Sequence, residues 1–217
     1  MNSLMRDRGE DIYTERDDID VDTLRNLGPL RALAGRWEGL KGLDVNPFEN
    51  GERRQVYVEH MDLEPTDPQS NGPQVLYGLR YHTRIIKPGE TETYHDQVGY
   101  WLWEPATGLI LLSLTIPRGQ IVLAKGHAGP DDTRFSVRAE RGSTENGICS
   151  SSFLERAFRT DSFNMRVTVN PNGTWAYFED TVLTVLGRDE PFHHTDQNTL
   201  TRVGPPIPNP LAQEAGR

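Results

Sequence analysis

YHDQVGYWLWEPATGLILLSLTIPRGQIVLAKG, residues 94–126, holds three strand-like runs separated by two short turns and little else. The first run, His95 to Trp103, is rich in aromatics and ends at Glu104-Pro105-Ala106-Thr107-Gly108. Proline there fixes φ and glycine permits positive φ, which is hairpin chemistry. Leu109 to Ile116 places Ile110, Leu112, Leu114 and Ile116 on one face and Leu109, Leu111, Ser113 and Thr115 on the other. A run so apolar, so short and bounded by turns predicts a buried strand rather than a helix. Pro117-Arg118-Gly119 then turns the chain into Gln120 to Lys125, giving an up-and-down meander whose side chains alternate between two faces. One face is free to line a cavity.

Outward from this meander, the same pattern recurs. Arg53 to Met61, Val75 to Ile86, Arg134 to Glu140, Phe163 to Val169, Thr174 to Leu186 and Phe192 to Val203 read as strands, with Asn170-Pro171-Asn172-Gly173 as a strong hairpin signal. Asp44 to Pro47 with Glu49-Asn50-Gly51 reads as a loop, and Asp62 to Pro73, proline-rich and polar, as a surface loop. Phe153-Leu154 and Ala157-Phe158 carry both helical spacing and strand content. No segment is long enough for a helical crossover, so the expected fold is all-β: a single, roughly ten-stranded antiparallel up-and-down β-barrel. Gly28-Pro29 and LRALAG predict a short N-terminal helical segment plugging one end.

The 217 residues are most simply one domain, expected over 29–204, with an acidic flexible tail at 1–28 and a loose proline-rich tail at 205–217. Net charge is −9, and residues 1–22 alone hold eight acids against three bases. Lys and Arg form no basic stripe, which argues against nucleic acid as a partner. No apolar run approaches the roughly 18 residues that cross a bilayer, and the N-terminus lacks a charged-then-apolar leader, so no membrane partner and a cytoplasmic location are expected. A flat strand with exposed apolar residues would let two barrels pair as a homodimer. The single cysteine, Cys149, excludes an internal disulfide and any zinc site with more than one cysteine ligand, and reads as a small buried hydrophobe.

Six histidines are present, and two groups stand out: His95-Asp96 opening the meander and His193-His194-Thr195-Asp196 in the last strand. Successive strand residues face opposite ways, so only one of His193 and His194 can enter a barrel. His60, His82 and His127 read as structural or surface groups. Trp37, in the glycine-rich run Gly35 to Gly42, either closes the bottom of the cavity or contacts a ligand.

The segment LAGRWEG at 33–39, the strand His95-x-x-x-Gly99-Tyr100 and a histidine in the last strand resemble, in order and spacing, the nitrobindins and their relatives. These are haem-binding, calycin-like barrels built like fatty-acid-binding proteins, and the resemblance covers about Leu33 to Val203. It implies haem b, with His194 as the iron ligand, His193 as the reserve choice, and His95 on the distal side as the catalytic candidate with Tyr94 beside it. It also implies ferric iron that meets nitric oxide and isomerises peroxynitrite to nitrate in a mostly apolar pocket. The sequence departs from the family at Gly39 to Pro47, where the glycine-rich run lacks the tyrosine before its proline. Two alternatives stand beside this reading. One is a non-enzymatic carrier of a fatty acid or other apolar ligand. The other is a non-haem metal site using His95, one of His193 and His194, and Glu179 or Asp180.

Overall fold

In a computed structural model the described residues are 11–208. Part of the acidic stretch and the end of the proline-rich stretch, residues 1–10 and 209–217, lie outside them. In chain order the strands are β1 (Gly35–Phe48), β2 (Gly51–Pro65), β3 (Gln69–Asn71), β4 (Gln74–Ile86), β5 (Thr93–Glu104), β6 (Leu109–Ile116), β7 (Gln120–His127), β8 (Arg134–Glu140), β9 (Ile148–Ser150), β10 (Phe158–Val169), β11 (Trp175–Val185) and β12 (Phe192–Gly204). Neighbours pair antiparallel in the order β2-β1-β12-β11-β10-β8-β7-β6-β5-β4, and β2 pairs β4 to close the ring. The barrel therefore has ten strands, with β3 and β9 as short additions on β4 and β7. No helix among the described residues is long and apolar enough to cross a membrane.

The meander forms as its alternation requires. Ile110, Leu112 and Leu114 are buried on the inner face of β6, and the flanking turns use Gly108 and Gly119 at φ 71° and 74°. The ambiguous segment before β10 divides, with α2 (Ser152–Ala157) helical and Phe158 onward extended.

One end of the barrel is solid. Helix α1 (Thr23–Asn26) and a 3-10 helix (Gly28–Leu33) lie across it, and Leu27, Leu30 and Leu33 have no exposed surface. The acidic stretch expected over 1–28 thus ends inside the plug, because Leu27 belongs to the same apolar cluster as Leu63, Leu79 and Ile110. Glu15 and Asp20, upstream, also touch the barrel: Gly72 N–H donates to Glu15 Oε1 at 3.1 Å, and the Tyr77 hydroxyl to the Asp20 carbonyl at 3.0 Å.

Two loop expectations are corrected. Strand β1 continues through Asp44-Val45-Asn46-Pro47, whose residues pair with Gln55 to Glu52 on one side, and Asp44 and Val45 with Asp196 and Thr195 on the other. Strand β2 likewise runs on to Pro65, because Asp62 to Pro65 pair with His82 to Leu79 of β4. Their polar residues look loop-like in sequence, but they alternate with buried Leu63 and Val45, and the ladder on both sides satisfies the backbone.

Candidate functional site

The other end opens on a cavity of about 370 Å³, near the low end of the range for small-molecule sites. Apolar side chains such as Ile85, Ile116, Leu154, Phe158 and Met165 line part of it, and exposed Arg53 and Arg118 stand at its mouth.

A phase change in β1 decides which groups enter. Gly35, Trp37 and Gly39 face inward, then Leu40 and Lys41 both face solvent where the β1–β2 register shifts between Gly39 and Gly42. This bulge inserts one residue and re-aims the strand beyond it, so Gly42, Asp44 and Asn46 point in. Without it Leu43 and Val45 would. The glycines also leave room for neighbours: a Cβ on Gly42 would lie 2.0 Å from the Tyr57 ring, and one on Gly39 2.2 Å from Asn198 Nδ2. Gly42→Ala is therefore expected to destabilise by about 1–3 kcal/mol, the usual cost of overpacking, read as a lower urea midpoint. An unchanged midpoint would mean that Tyr57 moves aside without cost.

Strand parity sorts the histidines. In β12 the even residues face in, so His194 lines the cavity while His193, with 63% of its side chain exposed, pairs with Asp180 on the outer wall at 2.9 Å. His194 Nε2 lies 2.8 Å from Asp44 Oδ1. His95 also lines the cavity, with Nε2 3.4 Å from Gln97 Oε1, and burial pushes its pKa down, favouring the neutral ring. Asp96 faces outward to His82 instead. Tyr94 sits at a register shift between β4 and β5, so two successive residues, Tyr94 and His95, both reach the cavity. The Tyr94 hydroxyl donates to Asp44 Oδ2 at 2.8 Å, and burial followed by that carboxylate pushes its pKa up to about 12.

Trp37 is not a cavity residue. It is 1% exposed in the closed end, its indole N–H donating to the Leu33 carbonyl at 2.7 Å and its ring meeting Trp175 edge-on at 6.1 Å. It packs beneath the plug and is not among the residues that line the cavity.

The interior is more acidic than the expected mostly apolar pocket. Glu59, 1% exposed, accepts from Tyr177 Oη at 3.0 Å, Asn198 Nδ2 at 2.9 Å and Thr83 Oγ1 at 3.3 Å. Tyr57 donates to Asp196, and its hydroxyl is 2.9 Å from that of Tyr177. Burial raises the pKa of Glu59, Asp196, Tyr57 and Tyr177 alike. Asp44 differs: burial is the largest influence and opposes ionisation, yet the bonds from His194, Asn46 and Tyr94 together hold it below its usual range.

Glu179, facing the cavity with Thr181 Oγ1 in reach at 3.2 Å, is pushed by burial from 4.5 to about 7. The folded state therefore holds this proton more tightly than the unfolded chain. Its cost to stability is absent below pH 4.5, grows as pH rises, and is complete above 7. Glu179→Gln should remove up to about 3 kcal/mol of that cost at pH 8 and none at pH 4, read by urea unfolding at both values. Equal gains at both would show that Glu179 does not titrate in this window.

Sequence reasoning placed Asp44 in a loop and left Tyr57, Glu59 and Tyr177 unnamed. The signals were present in the GLKG run that marks the bulge and in polar residues sharing parity with buried Met61 and Trp175.

Among the described residues no group of three or more His, Cys, Asp or Glu is placed to hold a bare metal ion. His193 and Asp180, two of the ligands considered for such a site, face the outside of the barrel. For an iron porphyrin the donor chemistry fits. Asp44 occupies one ring nitrogen of His194 and no partner engages Nδ1 among the described residues, while a carboxylate on the other nitrogen is the common setting of a metal-binding histidine.

A family model described as "THAP4-like, heme-binding beta-barrel domain" matches residues 26–202. Among solved structures the chain resembles the crystal structure of Rv2717c from M. tuberculosis at 18% identity and a TM-score of 0.58, covering 84% of this chain and 99% of that one. That likeness concerns the fold. No curated protein matches the sequence.

Proposed function

The chain belongs to the family of THAP4-like, heme-binding β-barrel domains, and from that premise we propose that its cavity holds haem b, with His194 as the iron ligand and His95 as the second functional histidine. The observation that carries this reading is the arrival of both histidines in one cavity from strands about a hundred residues apart, with no partner on His194 Nδ1 among the described residues. Bound there, haem b would supply a ferric iron that acts as Lewis acid toward nitric oxide and peroxynitrite and turns the latter into nitrate.

The chain's own groups would do the rest. Ile85, Ile116, Leu154 and Phe158 would exclude water from a bound haem, and Arg53 and Arg118 would draw anions to the mouth. His95, held neutral by burial, can donate or accept one hydrogen bond toward a small ligand.

The alternative, a carrier of a fatty acid, sits poorly with Glu179, which faces the cavity beside Thr181 Oγ1. A hydrocarbon tail there would exclude water from its carboxyl group and offer no hydrogen bond in return.

A hemin titration of the full chain followed in the Soret region tests the proposal, with peroxynitrite decay and nitrate yield measured on the loaded protein. Saturation at one haem per chain with faster conversion to nitrate is expected. A wild-type protein with no specific Soret shift would sink the reading, and one that binds haem without accelerating isomerisation would sink its catalytic half.

A further inference from the structure

Resting on the haem reading, we propose that Asp44 is the positioning residue of the iron-binding histidine, and that Tyr94 and Asn46 form the clamp that commits it to that role. Asp44 is 4% exposed, and a carboxylate so buried persists only when its oxygens are occupied. Oδ2 accepts from Tyr94 Oη at 2.8 Å and from Asn46 Nδ2 at 2.7 Å, and the same amide lies 2.9 Å from the Tyr94 hydroxyl. The three side chains close on one another around that single oxygen. Oδ1 is left for His194 Nε2 at 2.8 Å.

The chemistry rests on which group can donate. A carboxylate with no proton of its own accepts, so Nε2 carries the hydrogen and the ring lone pair resides on Nδ1. An anionic acceptor on the back of an imidazole also makes it a stronger electron donor, which favours ferric over ferrous iron. Strand geometry makes the arrangement hard to reach by drift. Asp44 and Asn46 share the inner face of β1 only because of the Leu40–Lys41 bulge, Tyr94 reaches the cavity only because of the register shift in β5, and His194 comes from β12. Three strands of the mouth thus meet at one carboxylate.

The test combines Asp44→Asn, Asp44→Glu and Tyr94→Phe in the full chain. Asp44→Asn is expected to weaken hemin binding 10–100-fold, the usual effect of losing such a partner, and to move the ferric/ferrous midpoint to a more positive potential. Asp44→Glu should recover part of both, and Tyr94→Phe should shift both in the same direction by less. In the haem-free protein, nitrogen-15 NMR should find His194 as the Nε2–H tautomer in the wild type and as a mixture in Asp44→Asn. A merely structural role would lower the melting temperature and leave potential and tautomer unmoved.

Folded Asp44→Asn with haem affinity, potential and tautomer all matching the wild type would overturn the inference alone, provided wild type binds haem and His194→Ala loses it. A wild type that takes up no haem would overturn the haem reading, and this inference with it.

Discussion

His194→Ala is expected to abolish specific haem binding, with affinity falling by at least ~10³-fold, about 4 kcal/mol, while His193→Ala binds like the wild type. The two residues are adjacent in sequence and opposite in space. His194 lines the cavity with no partner on Nδ1 among the described residues, whereas His193 lies on the outer wall against Asp180 at 2.9 Å. Paired hemin titrations read the difference directly. Retention of a full Soret band by His194→Ala, with its loss in His95→Ala, would transfer the iron to His95. Loss in neither would leave haem bound without a histidine ligand, and the assignment would fall. Glu59 and Asp196, on the same acidic wall, are engaged by tyrosines and Asn198.

Trp37→Ala should cost about 3–5 kcal/mol of stability, the range for deleting a large buried aromatic, and should leave the haem spectrum of the remaining folded protein unchanged. The ring is held on several sides: Trp175 edge-on at 6.1 Å, the Leu33 carbonyl at 2.7 Å, and the Arg202 guanidinium 4.3 Å from the ring centre. Arg202 in turn donates to the carbonyls of Ala32 and Ala34, so the ring, the arginine and the end of the plug are one unit. Urea unfolding gives the first quantity and the Soret maximum at saturating hemin the second. A stable variant with a displaced Soret band would return Trp37 to the cavity.

Much of the barrel is legible in local pattern. Ile110, Leu112, Leu114 and Ile116 recur at every second position between two glycine turns, and such a run can only be a strand with one apolar face. The Gly28-Pro29 signal and the leucines around it point to the plug for the same reason, since spacing and turn chemistry act within a few residues. The choice between His193 and His194 is half legible. Alternation excludes a chelate of the two, but parity cannot say which face is inside until β12 is paired with β1 and β11.

The site is legible to a smaller extent, because the features that build it are non-local. A bulge is one extra residue in one strand, visible only against its partner, and it turned an expected loop at Asp44 to Pro47 into the inner wall of the mouth. Glu59, Glu179 and Asp196 each look like the solvent side of an amphipathic strand. The β11–β12 pairing sets Glu179 opposite Asp196, and β1, lying between β12 and β2, brings Glu59 onto the same wall of the cavity, where burial raises their pKa values. The residue order thus set strand parity, turn positions and the candidate histidines, through interactions spanning two to four residues. Strand pairing and the two register shifts set which polar groups share a dielectric environment, and that depends on contacts between residues far apart in the chain, 150 positions for Asp44 and His194.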